Sequence, residues 1–296
     1  MLASHFSIKG WNISFEGYGS TDELIQKLHE RKAMAYSRAS DYDFVNKPEY
    51  ESINFPDWYC FKNPKELSDL IEFGISDAKL IKEVEKFKAS TATRTQVARC
   101  KPKNSMAGGC VNIGRYLNGS PDCFRSKERI PAPSKVRHIV MDAGVLGDVE
   151  PSQVQRIGKL IVGAIMATEI RGDRVRLDVC TTTVCCRSRI MMLSVNAKKE
   201  TERMDLARFL FWCASPAVNR GVSFNWRATH PDFPSENLLS GMGYSIGSRN
   251  TGFAKEIYKE VFPEGTIMLN MMDLILRTER MSDDDAVDYI KELMME

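Results

Sequence analysis

Asp142 is the residue best placed for chemistry in this 296-residue chain. It closes a short apolar run, His138-Ile139-Val140-Met141, and Ala143 and Gly144 follow at once. Such a run reads as a β-strand buried on both faces. In an open α/β sheet, ligands and ions usually bind in the crevice beyond the carboxyl ends of the strands. A carboxylate there needs further oxygen ligands to hold a hard cation such as Mg²⁺. Thr181, Thr182 and Thr183, near the end of the next predicted strand, offer hydroxyls, and Asp142, Thr181 and Thr183 form the candidate metal set. The set is short of ligands, because Gly144 and Leu146 bring no oxygen side chains to the turn. A second grouping, Asp142 with Glu150 and Asp178, has the composition of a two-metal nuclease site, but Asp178 falls in mid-strand. The plain alternative is that Asp142 accepts backbone N–H bonds in the turn before a helix. The reading is no cofactor, with Mg²⁺ at Asp142 as the alternative.

Charge marks a second region. Residues 86–137 hold twelve Lys/Arg and two carboxylates, a net of +10, in a chain whose total is +2. The candidate nucleic-acid contacts are Lys86, Lys88, Arg94, Arg99, Lys101, Lys103, Arg115, Arg125, Lys127 and Arg129. Phe87, Tyr116 and Phe124 lie among them, and aromatic stacking with phosphate neutralisation is how single strands are bound without sequence preference. The bland reading is a solvated basic face, or a linker docked on the acidic remainder.

Other chemistry is poorly supported. Gly247 to Gly252 has the glycine spacing of a phosphate loop, but Phe253 and Ala254 stand where Lys and Ser/Thr are required. The eight cysteines include no C-x-x-C, so no zinc pattern is present. His5, His29, His138 and His230 are far apart, and no G-x-S-x-G elbow occurs. No apolar run reaches the ~20 residues of a membrane helix. Met1–Trp11 lacks the charged-then-apolar pattern of a secretory leader.

The elements that must position these residues follow from periodicity. A small α/β domain is predicted over 1–90: a strand at Ile13–Phe15, a helix from the Ser20 cap with Glu23 as capping partner, and a strand at Trp58–Phe61. A helix follows from Asn63-Pro64 to Gly74, then another after Ser76. Residues 91–133 read as a basic irregular arm or linker, with Tyr116, Leu117 and Phe124 as apolar anchors. Residues 134–296 read as a mixed, mostly parallel α/β domain with helices on both faces. Its core is the strand ending at Asp142, a helix over Pro151–Ile170, a strand at Val175–Val179 and a strand at Ile190–Val195. A helix over Met204–Cys213, a strand at Val222–Trp226, a helix over Phe253–Phe262, a strand at Thr266–Leu269 and a helix capped by Ser282 complete it.

The strand ending in Asp, with a helix and hairpin after it, resembles the von Willebrand factor A fold. Its metal loop Asp-x-Ser-x-Ser is degenerate here, with Gly144 and Leu146 at the serine positions. Three segments together resemble an uncharacterised family of tailed-phage and prophage proteins. Trp58–Gly74 (WYCFKNPKELSDLIEFG) is similar to that family's strand and capped helix. Gly108–Phe124 (GGCVNIGRYLNGSPDCF) is similar to its G-x-x-V-D-V-x-x-Y-L-x-G-x-P pattern, with Asn112 in place of Asp. Met204–Phe224 (MDLARFLFWCASPAVNRGVSF) is similar to its D-L-x-R-x-x-F-x-x-x-x-P-x-x-x-R segment. The resemblance implies a phage-encoded protein acting in the cytoplasm of a bacterial host or on the virion, and implies no catalytic residues.

The leading expectation is a non-enzymatic interaction or assembly protein with a protein partner and no membrane. The alternative is an accessory protein binding single-stranded nucleic acid through 86–137; a metal-dependent nuclease is third. The sequence leaves the oligomeric state open.

Overall fold

The computed structural model describes residues 2–31, 42–49, 51–91, 99–130, 135–186, 188–233, 244–246 and 250–295. The chain opens with a hairpin of β1 (Leu2–Ile8) and β2 (Trp11–Tyr18). Lys9 and Gly10, between them, both take positive φ, as two-residue turns matched to strand twist require. α1 (Thr21–Glu30) has the predicted cap: Ser20 Oγ accepts from the Glu23 N–H at 3.2 Å. Trp58 to Phe61 is not a strand; α2 (Pro56–Tyr59) is a single helical turn started by Pro56. α3 (Pro64–Phe73) carries the predicted Asn63 cap, 2.9 Å from the Glu66 N–H, and ends at Gly74. Gly74 has φ 78°, and a Cβ there would come within 2.2 Å of the Ala207 carbonyl oxygen, so only glycine fits. α4 (Ala78–Thr91) follows.

The stretch expected to be irregular is instead a small sheet. β3 (Arg99–Ser105), β4 (Cys110–Val111) and β5 (Phe124–Ile130) pair antiparallel in the order β3-β5-β4, with α5 (Ile113–Leu117) at the tip. Then come β6 (Val136–Asp142), α6 (Pro151–Ile170), β7 (Arg174–Cys186), β8 (Arg189–Lys198) and α7 (Leu206–Ala214). A π-helical segment, Val218–Ser223, runs directly into α8 (Phe224–Thr229). This corrects the strand expected at Val222–Trp226. Val222 and Trp226, four residues apart, share one helical face and are both buried in the core. β9 (Tyr244–Ser245), α9 (Thr251–Val261), β10 (Ile267–Asn270), α10 (Met271–Thr278) and α11 (Asp283–Leu293) complete the described chain.

The main sheet is mixed, in the order β1-β2-β8-β7-β6-β10, with β9 beside the end of β7. The pairs β2/β8, β6/β7 and β6/β10 are parallel; β1/β2, β7/β8 and β7/β9 are antiparallel. The boundary expected near residue 90 is therefore not a boundary of the sheet. β2 pairs with β8 from Asn12–Arg189 to Tyr18–Val195, so residues 1–90 share a sheet with 134–296. The reason is burial: a lone two-stranded hairpin is at best marginally stable, and joining β8 lets Ile13, Phe15 and Tyr18 be buried.

Helices cover both faces. One face holds the larger core, with Leu24 and Leu28 of α1, Phe209 to Cys213 of α7, and Trp226 of α8. α6 lies at its centre, buried on most sides by the sheet and by neighbouring helices. At Gly158 a Cβ would lie 2.3 Å from the Ala214 Cα, so this glycine lets α6 and α7 touch backbone to backbone. The other face carries a smaller core in which Ile257 and Tyr258 of α9 cover Ile13, Phe15, Val140, Cys180 and Met192.

Candidate functional site

Asp142 lies where the strand order places it, at the carboxyl end of β6 and beside Asn270 at the end of β10. It is completely buried, at 0% exposure. Its Oδ1 accepts from the Gly144 N–H at 2.9 Å; its Oδ2 accepts from Tyr258 Oη at 2.6 Å and Asn270 Nδ2 at 3.3 Å. Thr182 Oγ1 continues the chain, 2.9 Å from Tyr258 Oη. Burial pushes the Asp142 carboxyl up to about 6, against the opposing hydrogen bonds from Tyr258 and Gly144.

The proposed metal set is not assembled. Asp142 is opposite Cys180 in the β6/β7 register, and side chains alternate between faces along a strand. Thr182 therefore shares the Asp142 face, whereas Thr181 and Thr183 lie on the other. Thr181 Oγ1 is 2.7 Å from Ser223 Oγ, and Thr183 Oγ1 accepts from Arg227 Nη1 at 2.9 Å. Both hydroxyls serve the π-helical segment and α8. The nuclease grouping is not assembled either. Glu150 stands exposed at the start of α6, and Asp178 binds His138, Arg176 and Asn196. Burial pushes the Asp178 carboxyl up, but those bonds and the Arg176 charge outweigh it and hold it below the usual range. Among the described residues no group of three His, Cys, Asp or Glu is placed to hold a metal ion.

Asp142 makes a measurable prediction. Its folded value of about 6 exceeds the usual 3.8, so the folded protein holds this proton more tightly than the unfolded chain. That contribution is complete below about pH 4 and is lost as pH rises through 6. Asp142→Asn has nothing to lose, so its stability relative to the wild type should rise by about 3 kcal/mol across that window. Urea unfolding at the two ends of the window checks this; parallel pH curves for the two proteins would reject it.

Two hydroxyl–imidazole–carboxylate chains invite comparison with a hydrolase triad. Ser14 Oγ and Asp232 Oδ2 lie 3.4 and 3.5 Å from the same nitrogen of His5, Nδ1. A relay needs the two partners on opposite nitrogens. Thr266 Oγ1 is 3.1 Å from His138 Nδ1, but it also donates to the Pro263 carbonyl at 2.7 Å. Its one proton is committed there, so the hydroxyl is not activated by the ring.

A cavity of about 450 Å³ opens at the carboxyl ends of β2 and β8. Its polar groups are largely engaged with one another: Arg208 Nη2 with Thr21 and Asp22, Lys199 with Glu202, and Asp205 with the first turn of α7.

The interior also holds charges that the sequence did not reveal. Glu16 of β2 accepts from Arg31, Tyr18, Trp226 and His230. Arg220 in the π-helical segment donates to the Trp58 and Val149 carbonyls at 2.9 and 2.6 Å and lies 4.3 Å over the Trp58 ring. Together with Asn219 on the Val145 carbonyl and Trp58 Nε1 on the Gly147 carbonyl, it fastens the loop between β6 and α6. That loop directly follows Asp142.

The surface candidate is the β3-β5-β4 arm. Its strands pack on one another and have no comparable contact with elements of the main sheet. Residues 99–130 hold seven Lys/Arg and two carboxylates. Arg99, Lys101 and Lys103 belong to β3, and Arg125, Lys127 and Arg129 to β5. Arg115 is spent inside the arm on Asp122, at 2.8 Å. Lys86 and Lys88 belong to α4, which packs on α6, and so are not part of the arm. Arg94 lies outside the described residues. The expected anchors Tyr116 and Leu117 do not anchor: they are 64% and 76% exposed. Met106 and Ile113 are similarly exposed, at 75% and 69%, so the tip is apolar.

No helix among the described residues is long and apolar enough to cross a membrane. No curated protein and no solved structure matches the chain. One family profile does match, over residues 7–295, and it carries the description "Domain of unknown function (DUF7192)". The match takes in β2, the arm and the α/β body together, and the chain belongs to the DUF7192 family.

Proposed function

We propose that the protein is a non-enzymatic binding protein whose α/β body holds out the basic arm, and that the arm binds nucleic acid. The observation that carries this reading is the arm itself: a separate, net-positive antiparallel sheet with an apolar and aromatic tip. Cations supply phosphate affinity, and exposed rings and apolar side chains supply contact with bases. The burial of Asp142 and the scattering of its supposed co-ligands argue against catalysis in the body. A degenerate von Willebrand factor A-like body, a phage or prophage origin, and action in the host cytoplasm or on the virion belong to the same proposal. Their support is the three resembling segments and the strand-helix-hairpin order around Asp142.

The test is fluorescence anisotropy of labelled DNA and RNA oligonucleotides with the full chain. If about five phosphates are neutralised, affinity should fall roughly 10²- to 10³-fold over a four-fold rise in salt. Reversing Lys101, Lys103, Arg125 and Lys127 to Glu should abolish binding at moderate salt. Binding that survives this variant, or that ignores salt, would reject the arm as the binding part.

A further inference from the structure

The hairpin turns one row of backbone groups outward. β1 is an edge strand of the main sheet, with β2 beside it on one side. The Asn12 N–H donates to the Ser188 carbonyl at 2.8 Å, on the β8 side. Backbone groups point alternately to the two sides of a strand, so Trp11, Ile13, Phe15 and Gly17 point to β1. Their register partners Ile8, Phe6, Ser4 and Leu2 point back. The N–H and C=O groups of Ala3, His5 and Ser7 therefore face away from β2, and no strand among the described residues pairs with them.

This edge has none of the usual protection. Exposed edges are blunted by charged side chains, proline, bulges or extreme shortness. Leu2–Ile8 contains no Lys, Arg, Asp, Glu or Pro. Its register with β2 is unbroken from Leu2–Gly17 to Ile8–Trp11, so it has no bulge. The opposite edge, β10, is by contrast only four residues long.

The strand that fits this edge is β1 itself. Set antiparallel about a two-fold axis at His5, it places Ala3 opposite the partner's Ser7, His5 opposite the partner's His5, and Ser7 opposite the partner's Ala3. Every outward residue then meets an outward residue, and each such pair exchanges both N–H···O bonds. The side chains agree. Leu2 is 64% exposed and stands opposite Gly17 on β2, which offers it no side chain. By alternation it shares a face with Phe6 and Ile8, which pack on the smaller core. The two-fold sets Leu2 opposite the partner's Ile8 and Ser4 opposite the partner's Phe6. A slip of one residue puts outward groups against inward ones. A slip of two carries Ala3 or Ser7 past the end of the partner's strand.

We propose that β1 is a self-association edge whose partner is the β1 of a second copy of this chain. The two main sheets then run on as one, and a two-fold contact closes because it covers both edges at once. A strand edge buries less than the ~1,600 Å² of a standard interface, so the dimer should be weak, with Kd on the order of 10 µM. This proposal is independent of the nucleic-acid reading.

Sedimentation equilibrium of the full chain from about 1 to 300 µM, at one pH and salt concentration, should show a reversible monomer–dimer equilibrium. His5→Pro removes an outward N–H and no bond to β2, and proline is tolerated on an edge strand in that position. It should weaken the dimer about ten-fold or more. His5→Glu and His5→Lys each set like charges opposite one another in their own dimers, and opposite charges when mixed. The equimolar mixture should therefore associate about five-fold or more tightly than either variant alone. Unchanged thermal melting checks the fold, and the Glu and Lys comparison stands if the proline variant unfolds. A chain that stays monomeric over the whole range overturns the proposal. So does a dimer indifferent to His5→Pro, or a mixture no tighter than its components.

Discussion

Glu16→Gln is expected to destabilise the protein by about 3–5 kcal/mol, the range for breaking a buried charge pair by removing one partner. Five hydrogen bonds converge on this carboxylate. Oε2 accepts from Tyr18 Oη at 2.6 Å, Trp226 Nε1 at 2.9 Å and Arg31 Nη1 at 3.0 Å; Oε1 accepts from Arg31 Nη2 at 2.5 Å and His230 Nε2 at 3.1 Å. His230 is oriented for this role, since its Nδ1 accepts from the Asp232 N–H and its proton is left on Nε2. An amide in place of the carboxylate turns one acceptor into a donor facing donors, and it leaves the Arg31 charge without its partner. The cluster joins β2 to α8 across more than 200 positions of sequence, so its loss loosens the hairpin from the body.

The pH dependence has a definite sign. Burial pushes the Glu16 carboxyl up, but the bonds from His230, Arg31, Tyr18 and Trp226 outweigh it and hold the group far below its usual 4.5. A depressed folded value means stability that is fully present above about pH 4.5 and lost as pH falls below it. The gap between the wild type and Glu16→Gln should therefore be widest near neutrality and narrow in acid. Urea unfolding of both proteins over this range is the measurement. A gap under about 1 kcal/mol at neutral pH, the value of a surface pair, would reject the account.

Arg220→Ala is the second large effect, with an expected cost of about 3–5 kcal/mol, as for truncating a large buried side chain. The Trp58 and Val149 carbonyls each lose their guanidinium donor, the Trp58 ring loses the cation above it, and a cavity opens beneath the loop after Asp142. For a chain of this length the melting temperature should fall by roughly 10 °C. Arg220→Lys is the informative companion. An ammonium on a flexible stem lacks the planar fork that reaches two carbonyls at once, so it should recover only part of the loss. Hydrogen exchange gives the local signature: amides from Val145 to Glu150 should lose protection before those of β6 and β7. A fully stable Lys variant would show that the fork is not what holds this loop.

The sequence made the strand-helix-hairpin around Asp142 legible because each part is locally periodic. A short apolar run, a long apolar helix and an alternating strand each announce themselves within a dozen residues. The caps at Ser20 and Asn63 were legible for the same reason: their partners are three residues away. The arm was legible only as charge. Its strands, RCKPKNS and FRSKERI, show no alternation of apolar and polar residues that would mark them as strand. The Val222–Trp226 run was misread because continuous burial looks alike in a strand and a helix.

What the sequence determined by itself is the α/β class, the place of Asp142 at a strand end, and the concentration of positive charge between the two halves of the chain. Only the tertiary structure decided which threonine hydroxyl joins the hydrogen-bond chain of that carboxylate, through Tyr258 Oη. Thr182 rather than its neighbours shares the face, because the β6/β7 register sets Asp142 against Cys180. Tyr258 and Asn270 come from more than 100 residues away. It also decided that the first strands belong to the same sheet as the last, and that Glu16, Arg31 and His230 form one buried centre. Such contacts join segments whose separation in sequence carries no local signal. The hydrophobic effect that brings them together is non-directional, so specificity enters only when strand register and packing fix which polar groups meet.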